Sequence, residues 1–555
     1  MSDPAPVVVI HPALSTSFHG LGKVFFDSGA TPVWQFRGIK YGKILARFQQ
    51  AVLNSKFPLS HNSTTYGPKC PQTVPKSRLE EVLIGQAPKH VPQNAEDIFD
   101  EFECLNLNIT IPPGAQEGND FPVLVYIHGG GGFSGANSDW WCDPSGFVSK
   151  SVTMEKPIIV VTINYRLSVF GHLGSEELRK VNGEINGGNY AFHDMHLALE
   201  WVHKYIGPFG GSSSDITIYG ESFGSLGVET LIHSDMNPRF SKAIMQSQVL
   251  GAPLLTNPET IASKSATYEK VKTFLGVKTV KDLQGAKWQD LLKAYETSDP
   301  RAGLPQVPMI DDFVLSANWR DNYNFYRGRN GRVIIGNTGY EGAVIEAVLA
   351  NALKAESSPS SKTLIESAQA ALPDAPVKRI FSQYEISEHT SFPEIRASLL
   401  TMIEDIAWYI PTSELVAKFE SPHPFRKTTV YQYSFQQLNP FEGLFKGKPV
   451  HALDLAYLHG SPEAFIGTKQ TSVELQSQEV FKGQWVLFAD EEEVWDPKQM
   501  MVFGPHELGG TVDMATFMKE KRRSDRWESF KTLSFADKEV LTGILFGHLS
   551  QLNGV

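Results

Sequence analysis

The chain has 555 residues, 41% hydrophobic and 20% charged, proportions that exclude a disordered or fibrous protein and fit a globular enzyme. Fifty Lys and Arg against sixty-one Asp and Glu leave a formal charge of −11, so the net field opposes a long phosphate-reading surface, and nucleic acid is not an expected partner. No stretch approaches the roughly 18 consecutive apolar residues needed to cross a bilayer. The opening MSDPAPVVVIHPALS lacks a basic segment followed by an apolar one, which predicts a cytoplasmic chain or the mature form of a secreted one. Three cysteines, Cys70, Cys104 and Cys142, stand far from metal-site spacing and allow at most one disulfide. At about 150 residues per domain the length suggests three or four domains. No repeat, linker or low-complexity block divides the chain, however, which predicts one continuous unit over residues 1–555.

In chain order, VFFDS and VWQFRGI read as short antiparallel strands of an N-terminal region. Phe121 to Gly129 and Lys156 to Tyr165 are apolar runs without polar alternation, which predicts strands covered on both faces. Asn189 to Ile206 carries apolar residues at helical spacing and stops at Gly207-Pro208. A strand at Asp215 to Gly220, a helix after it and a strand at Lys242 to Ser247 continue the alternation. Arg332 to Thr338 and Thr428 to Phe435 extend it across a helical insertion around residues 345–425. Alternating strands and helices imply an α/β fold with a large, mostly parallel central sheet and helices on both faces.

At the end of the Asp215 strand stands Gly220-Glu221-Ser222-Phe223-Gly224, a G-x-S-x-G pentapeptide. A serine on a sharp strand-to-helix turn carries its hydroxyl exposed above the sheet, and flanking glycines relieve the crowding. Composition alone yields such a pentapeptide about once in every four chains of this length, so the context must carry the argument. That context is His128-Gly129-Gly130-Gly131-Gly132-Phe133 at the end of another strand. Acyl transfer needs backbone N–H groups aimed at a developing oxyanion, and consecutive glycines let the main chain come that close. Two glycine-rich devices at strand C-termini also obey the crevice rule for α/β sheets.

With these motifs the chain resembles the type-B carboxylesterase/lipase family of the α/β-hydrolase fold, which includes the cholinesterases. The resemblance extends through Gly67-Pro68-Lys69-Cys70-Pro71-Gln72, Cys104-Leu105-Asn106-Leu107-Asn108, Asn164-Tyr165-Arg166-Leu167, Phe209-Gly210-Gly211 and Gly336-Asn337-Thr338-Gly339-Tyr340-Glu341-Gly342. It implies a catalytic triad of Ser222, Glu341 and His451, in the chain order of that fold. It also implies an oxyanion hole from Phe223 with Gly131 and Gly132, Gly130 being the competitor by one position. His459 is read as a packing or pocket residue. In such a site the histidine takes the serine proton, and the buried carboxylate orients the ring. Phe133, Trp140, Trp141, Trp408 and Tyr409 are expected to line the gorge formed by the helical insertions.

The departures carry expectations of their own. Phe223 stands where alanine is usual and is expected to reshape the pocket. Ser212 replaces an aspartate that in relatives pairs with the arginine of Asn-Tyr-Arg, so Arg166 needs another partner or stays solvated. Cys70 and Cys104 match the family's first disulfide and are expected to bridge in purified protein; Cys142 reads as a small buried hydrophobe. The acidic run at 490–493 and the basic run at 519–523 are read as solvated. The segment Ser77 to Asp100 contains no tryptophan, so a choline ester is not predicted. The expected function is hydrolysis of a hydrophobic or aromatic small-molecule ester through an acyl-serine, without metal or cofactor. An acyltransferase or biosynthetic enzyme using the same triad is the alternative. A non-enzymatic adhesion protein is disfavoured by the intact triad.

Overall fold

The computed structural model of the protein describes residues 6–23, 31–73, 79–85, 97–183, 187–301, 303–325, 330–349, 360–422, 427–460, 472–505 and 509–551. Its centre is a thirteen-stranded sheet. The strands are β1 (Pro6–His11), β2 (Thr16–Lys23), β3 (Val33–Lys40), β4 (Ser60–Asn62), β5 (Asn106–Ile111), β6 (Phe121–Ile127), β7 (Ile159–Ile163), β8 (Gly211–Glu221), β9 (Lys242–Gln246), β10 (Gly331–Thr338), β11 (Thr428–Phe435), β12 (Gln499–Phe503) and β13 (Gly510–Asp513). The spatial order is β1-β2-β3-β5-β7-β6-β8-β9-β10-β11-β12-β13, with β4 beside β2. From β7 to β12 every pairing is parallel, while β1, β2, β3, β5 and β13 pair antiparallel along the sheet order. The VWQFRGI strand is β3; VFFDS lies outside the described residues.

The parallel core follows from residue type. All five residues of β7 and of β9 are buried, as a strand covered on both faces requires. Helix α1 (Tyr190–Tyr205) lays Met195, Leu199 and Val202 against the sheet, and α2 (Phe223–His233) is buried over its whole length. In the expected insertion, α3 (Phe392–Glu404), a π-helical turn at Asp405–Tyr409 and a helix at Ile410–Glu420 are preceded by helices at Ser361–Ala371 and Asp374–Gln383. Their apolar faces, including Leu364, Leu399 and Met402, pack with Leu541 and Leu545 of the C-terminal helix Phe535–Gln551. Residues 350–359 and 423–426 of the insertion, like 86–96 of the tryptophan-free segment, fall outside the described residues.

Arg166 has found its partner on α1. Its Nε and Nη2 donate to the two Asp194 oxygens at 2.7 Å each, its own amide adds a bond of 3.1 Å, and Nη1 reaches the Gln49 carbonyl. Both side chains are buried. Such a fork is a structural pin, and removing one partner of a buried pair costs about 3–5 kcal/mol.

The disulfide expectation is corrected. Cys70, Cys104 and Cys142 are all buried free thiols. Cys70 Sγ accepts the Leu167 amide at 3.2 Å, and the Cys104 thiol donates to the Glu101 carbonyl at 3.5 Å. A hydrogen bond with Cys70, together with burial, holds the Cys104 thiol well above its ordinary pKa, which disfavours the thiolate that disulfide exchange requires. Unfolding in denaturant without reductant should therefore release all three thiols to a chromogenic thiol reagent; a single reactive thiol would restore the bridge.

Candidate active site

Ser222 follows β8 directly and sits at φ 55°, ψ −123°, a conformation that L-residues reach only under constraint. The constraint comes from two glycines. A Cβ on Gly220 would lie 2.3 Å from the Gly224 carbonyl carbon, and one on Gly224 would lie 1.9 Å from the Ile127 carbonyl oxygen. The turn can close only because neither residue has a side chain. The Ser222 amide donates to Gln246 at the tip of β9, and the Ser222 carbonyl accepts the Leu226 amide to open α2. The serine is thus half-buried at the N-terminus of an eleven-residue helix, where free N–H groups favour negative charge.

The glycine run lies against this turn. A Cβ on Gly129 would meet Ser222 Cβ at 3.2 Å, and one on Gly132 would meet the Phe223 ring at 2.8 Å. Gly130, Gly131 and Gly132 have φ of 96°, 63° and 77°. The Gly130 carbonyl accepts from Phe133 and Ser134, the Gly131 carbonyl from Gln306, and the Gly132 carbonyl from Ser168. A trans peptide points its N–H opposite to its C=O, so pinning the first two carbonyls turns the Gly131 and Gly132 N–H groups away from those partners. The Phe133 N–H is spent inside the loop. An oxyanion hole requires such main-chain donors held beside the nucleophile, and the loop fixes its main chain there. Gln306 is a residue that sequence reasoning missed; it lies more than 170 positions away with no motif around it.

Glu341 and His451 arrive from the neighbouring strand ends. Tyr340 pairs with Val450 in a parallel bridge, and its amide donates to the Pro449 carbonyl at 2.8 Å, which ties the acid turn to the histidine loop. Glu341 Oε1 accepts the Thr338 amide at 2.6 Å, and Oε2 meets His451 Nδ1 at 2.5 Å. Thr338 contributes only its main chain to this bond. Asp454, three residues beyond the histidine, accepts from Gln246 and Tyr433 and so fastens the histidine loop to the sheet.

The second imidazole nitrogen has an occupant that the sequence did not suggest. His451 Nε2 lies 3.0 Å from Glu221 Oε1, so a buried imidazole stands between two buried carboxylates. Burial works against the imidazolium, but Glu221 and Glu341 outweigh it and hold the His451 pKa well above its ordinary value. Burial pushes Glu221 up to about 7. The charge states of His451 and Glu221 therefore depend on each other. The signal was present in the sequence, since Glu221 stands inside the pentapeptide; strand geometry decides that its carboxylate turns toward the histidine.

The expected pocket rings divide. Phe133 folds back over Gly131 and remains half-exposed, and Trp408 stands edge-on to His451 with ring centroids 6.1 Å apart. Trp141 is buried in the core on one face of the sheet, and Trp140 packs edge-on against it and against Phe441. Tyr409 is spent on hydrogen bonds to Thr338 and Glu404. Packing and hydrogen bonding hold these three. The Phe223 expectation is corrected as well. Its ring points down, 1% exposed, among Tyr165, His172 and Phe192, so it supports Gly132 from beneath instead of narrowing a pocket. His459 is a packing residue, with one nitrogen on Tyr219 and the other on the Trp141 carbonyl; burial pushes its pKa down to about 4.

Comparison with known proteins bears on the family and the fold. The profile of the carboxylesterase family matches residues 20–541. Lipase 1 of Yarrowia lipolytica is 29% identical over 80% of this chain and 81% of its own. Lipase 2 of Diutina rugosa is 32% identical over 54% of this chain and 56% of its own. Among solved structures, a PNB esterase superposes with a TM-score of 0.70 over 93% of this chain and 98% of its own, at 22% identity, which speaks to the fold. The chain belongs to the carboxylesterase family and is a carboxylic ester hydrolase built on the α/β-hydrolase fold.

Proposed function

We propose that the protein hydrolyses hydrophobic or aromatic esters through an acyl-serine intermediate on Ser222. The observation that carries this reading is the 2.5 Å contact between His451 Nδ1 and Glu341, with the strained Ser222 on the adjacent strand tip. In the first step Ser222 Oγ attacks the ester carbonyl, and its proton passes to His451 Nε2, which must first turn from Glu221. The carbonyl oxygen becomes an oxyanion held by the N–H groups of Gly131, Gly132 and Phe223. Collapse breaks the acyl–oxygen bond, and the His451 proton leaves with the alcohol. Water, activated by the same imidazole, then releases the acid and restores the serine. Phe133 and Trp408 supply apolar surface beside the reacting groups, and the names of the lipase relatives support an apolar substrate.

Treatment with a fluorophosphonate should add one adduct to the intact mass of the wild type and none to Ser222→Ala, whose kcat should fall about a millionfold. Esterase activity retained in that variant would end the proposal. Across p-nitrophenyl esters of increasing acyl length, kcat/KM should rise from acetate to the medium chains; a preference for acetate would remove the hydrophobic assignment. The Glu221 carboxylate raises the His451 pKa, and the base must be neutral to act. Glu221→Gln should therefore move the acidic limb of the kcat/KM profile to lower pH. An unmoved limb would show that Glu221 does not set the charge state of the imidazole.

A further inference from the structure

The basic run expected to face solvent contains Arg522, which is half-buried and reaches a cluster behind Glu341. Its guanidinium lies 3.7 Å over the Tyr409 ring, and Nη2 donates to the Thr338 carbonyl at 3.2 Å and to Ser434 Oγ at 3.1 Å. The Tyr409 hydroxyl lies 2.8 Å from Glu404 Oε1 and 3.1 Å from the Thr338 carbonyl. Glu404 Oε1 also accepts the Glu341 amide at 2.6 Å and the Gly342 amide at 3.3 Å. One carboxylate on the helical insertion thus holds both main-chain donors at the position where the acid side chain begins.

We propose that Glu404 is a positioning residue for the ester hydrolysis: it clamps the main chain at Glu341 so that the Glu341 carboxylate stays aimed at His451. Three features of the structure support it. Glu404 is the last residue of α3, and the π-helical turn that follows widens the helix to i→i+5 bonding, which brings Tyr409 alongside Glu404. The carboxylate is 9% exposed, so leaving it without these donors would be costly, and the cluster is built to satisfy it. The clamp also completes a frame around one turn. Glu341 Oε1 takes the Thr338 amide, Arg522 and Tyr409 reach the Thr338 carbonyl, and Glu404 takes the amides at 341 and 342. Every peptide that could tilt the acid is held from one side or the other. Burial pushes Glu404 up to about 7, with Arg522 pulling against it, yet the clamp needs only an acceptor oxygen, which both protonation states retain.

The inference rests on the Ser222, His451 and Glu341 reading, and the test separates the two. Kinetics are normalised to active sites counted with a fluorophosphonate, so that loss of folded protein does not register. Glu404→Ala should lower kcat per titrated site about tenfold to a hundredfold, as expected when a catalytic group is misaligned, with KM changed less than about twofold. Glu404→Gln keeps an acceptor oxygen at the same place and should recover most of that loss. Tyr409→Phe, which keeps the ring under Arg522, should show a smaller fall in kcat at unchanged KM and serves if Glu404→Ala fails to fold. Unchanged kcat in Glu404→Ala, or Glu404→Gln as impaired as Glu404→Ala, would overturn the clamp. If Glu404→Ala does not fold, unchanged kcat in Tyr409→Phe would overturn it. An active Ser222→Ala would instead overturn the triad reading, whatever the Glu404 variants do.

Discussion

The absence of side chains at Gly220 and Gly224 is the constraint on which the site depends. The Gly224 Cα approaches the Ile127 carbonyl so closely that β6, β8 and the start of α2 come together at one point. That contact holds Ser222 in its strained conformation at a helix N-terminus and places the glycine loop after β6 directly beside it. Strain of this kind persists only where the surroundings over-determine it, and here the parallel ladder does so through the Ser222 amide on Gln246. Because β6, β8, β9, β10 and β11 run parallel, their C-terminal ends share one edge. Chain separations of more than a hundred residues, such as that from Ser222 to Glu341, close by register alone.

Within that frame the electrostatics are unusual for a single imidazole. His451 is contacted on both nitrogens by carboxylates, in a setting where water cannot screen them. In the proposed mechanism Glu341 stabilises the imidazolium formed during attack. Glu221 does the same before attack, so it favours a resting state in which the base is occupied. A near-neutral pKa for Glu221 makes that hold adjustable. Other buried charged groups tie elements together: Arg166 with Asp194 pins α1 to the loop after β7, and Asp454 ties the histidine loop to β9 and β11.

The residues that support the site are mostly remote in sequence from those that form it. Gln306 holds the Gly131 carbonyl, Phe223 carries Gly132, and Glu404 with Arg522 frames the turn of Glu341. Phe223 was visible as a departure, but whether its ring faces a pocket or the core depends on what fills the space beneath the turn. Tyr165, His172 and Phe192 fill it, and they come from two other segments. An aromatic residue near a site motif carries no local mark of direction, and burial decides it.

By itself the sequence determined the strands of the parallel core, the nucleophile turn, the glycine loop and the order of Ser222, Glu341 and His451. Each of these rests on short-range rules: unbroken apolar runs demand burial on both faces, and a sharp turn demands glycines at set positions. Only the tertiary structure decided the partner of Arg166, the thiol state of Cys70 and Cys104, the turn of Glu221 toward His451 and the placement of Arg522 over Tyr409. Those outcomes depend on which distant groups come within hydrogen-bonding distance once the chain has closed, and no local pattern records that proximity.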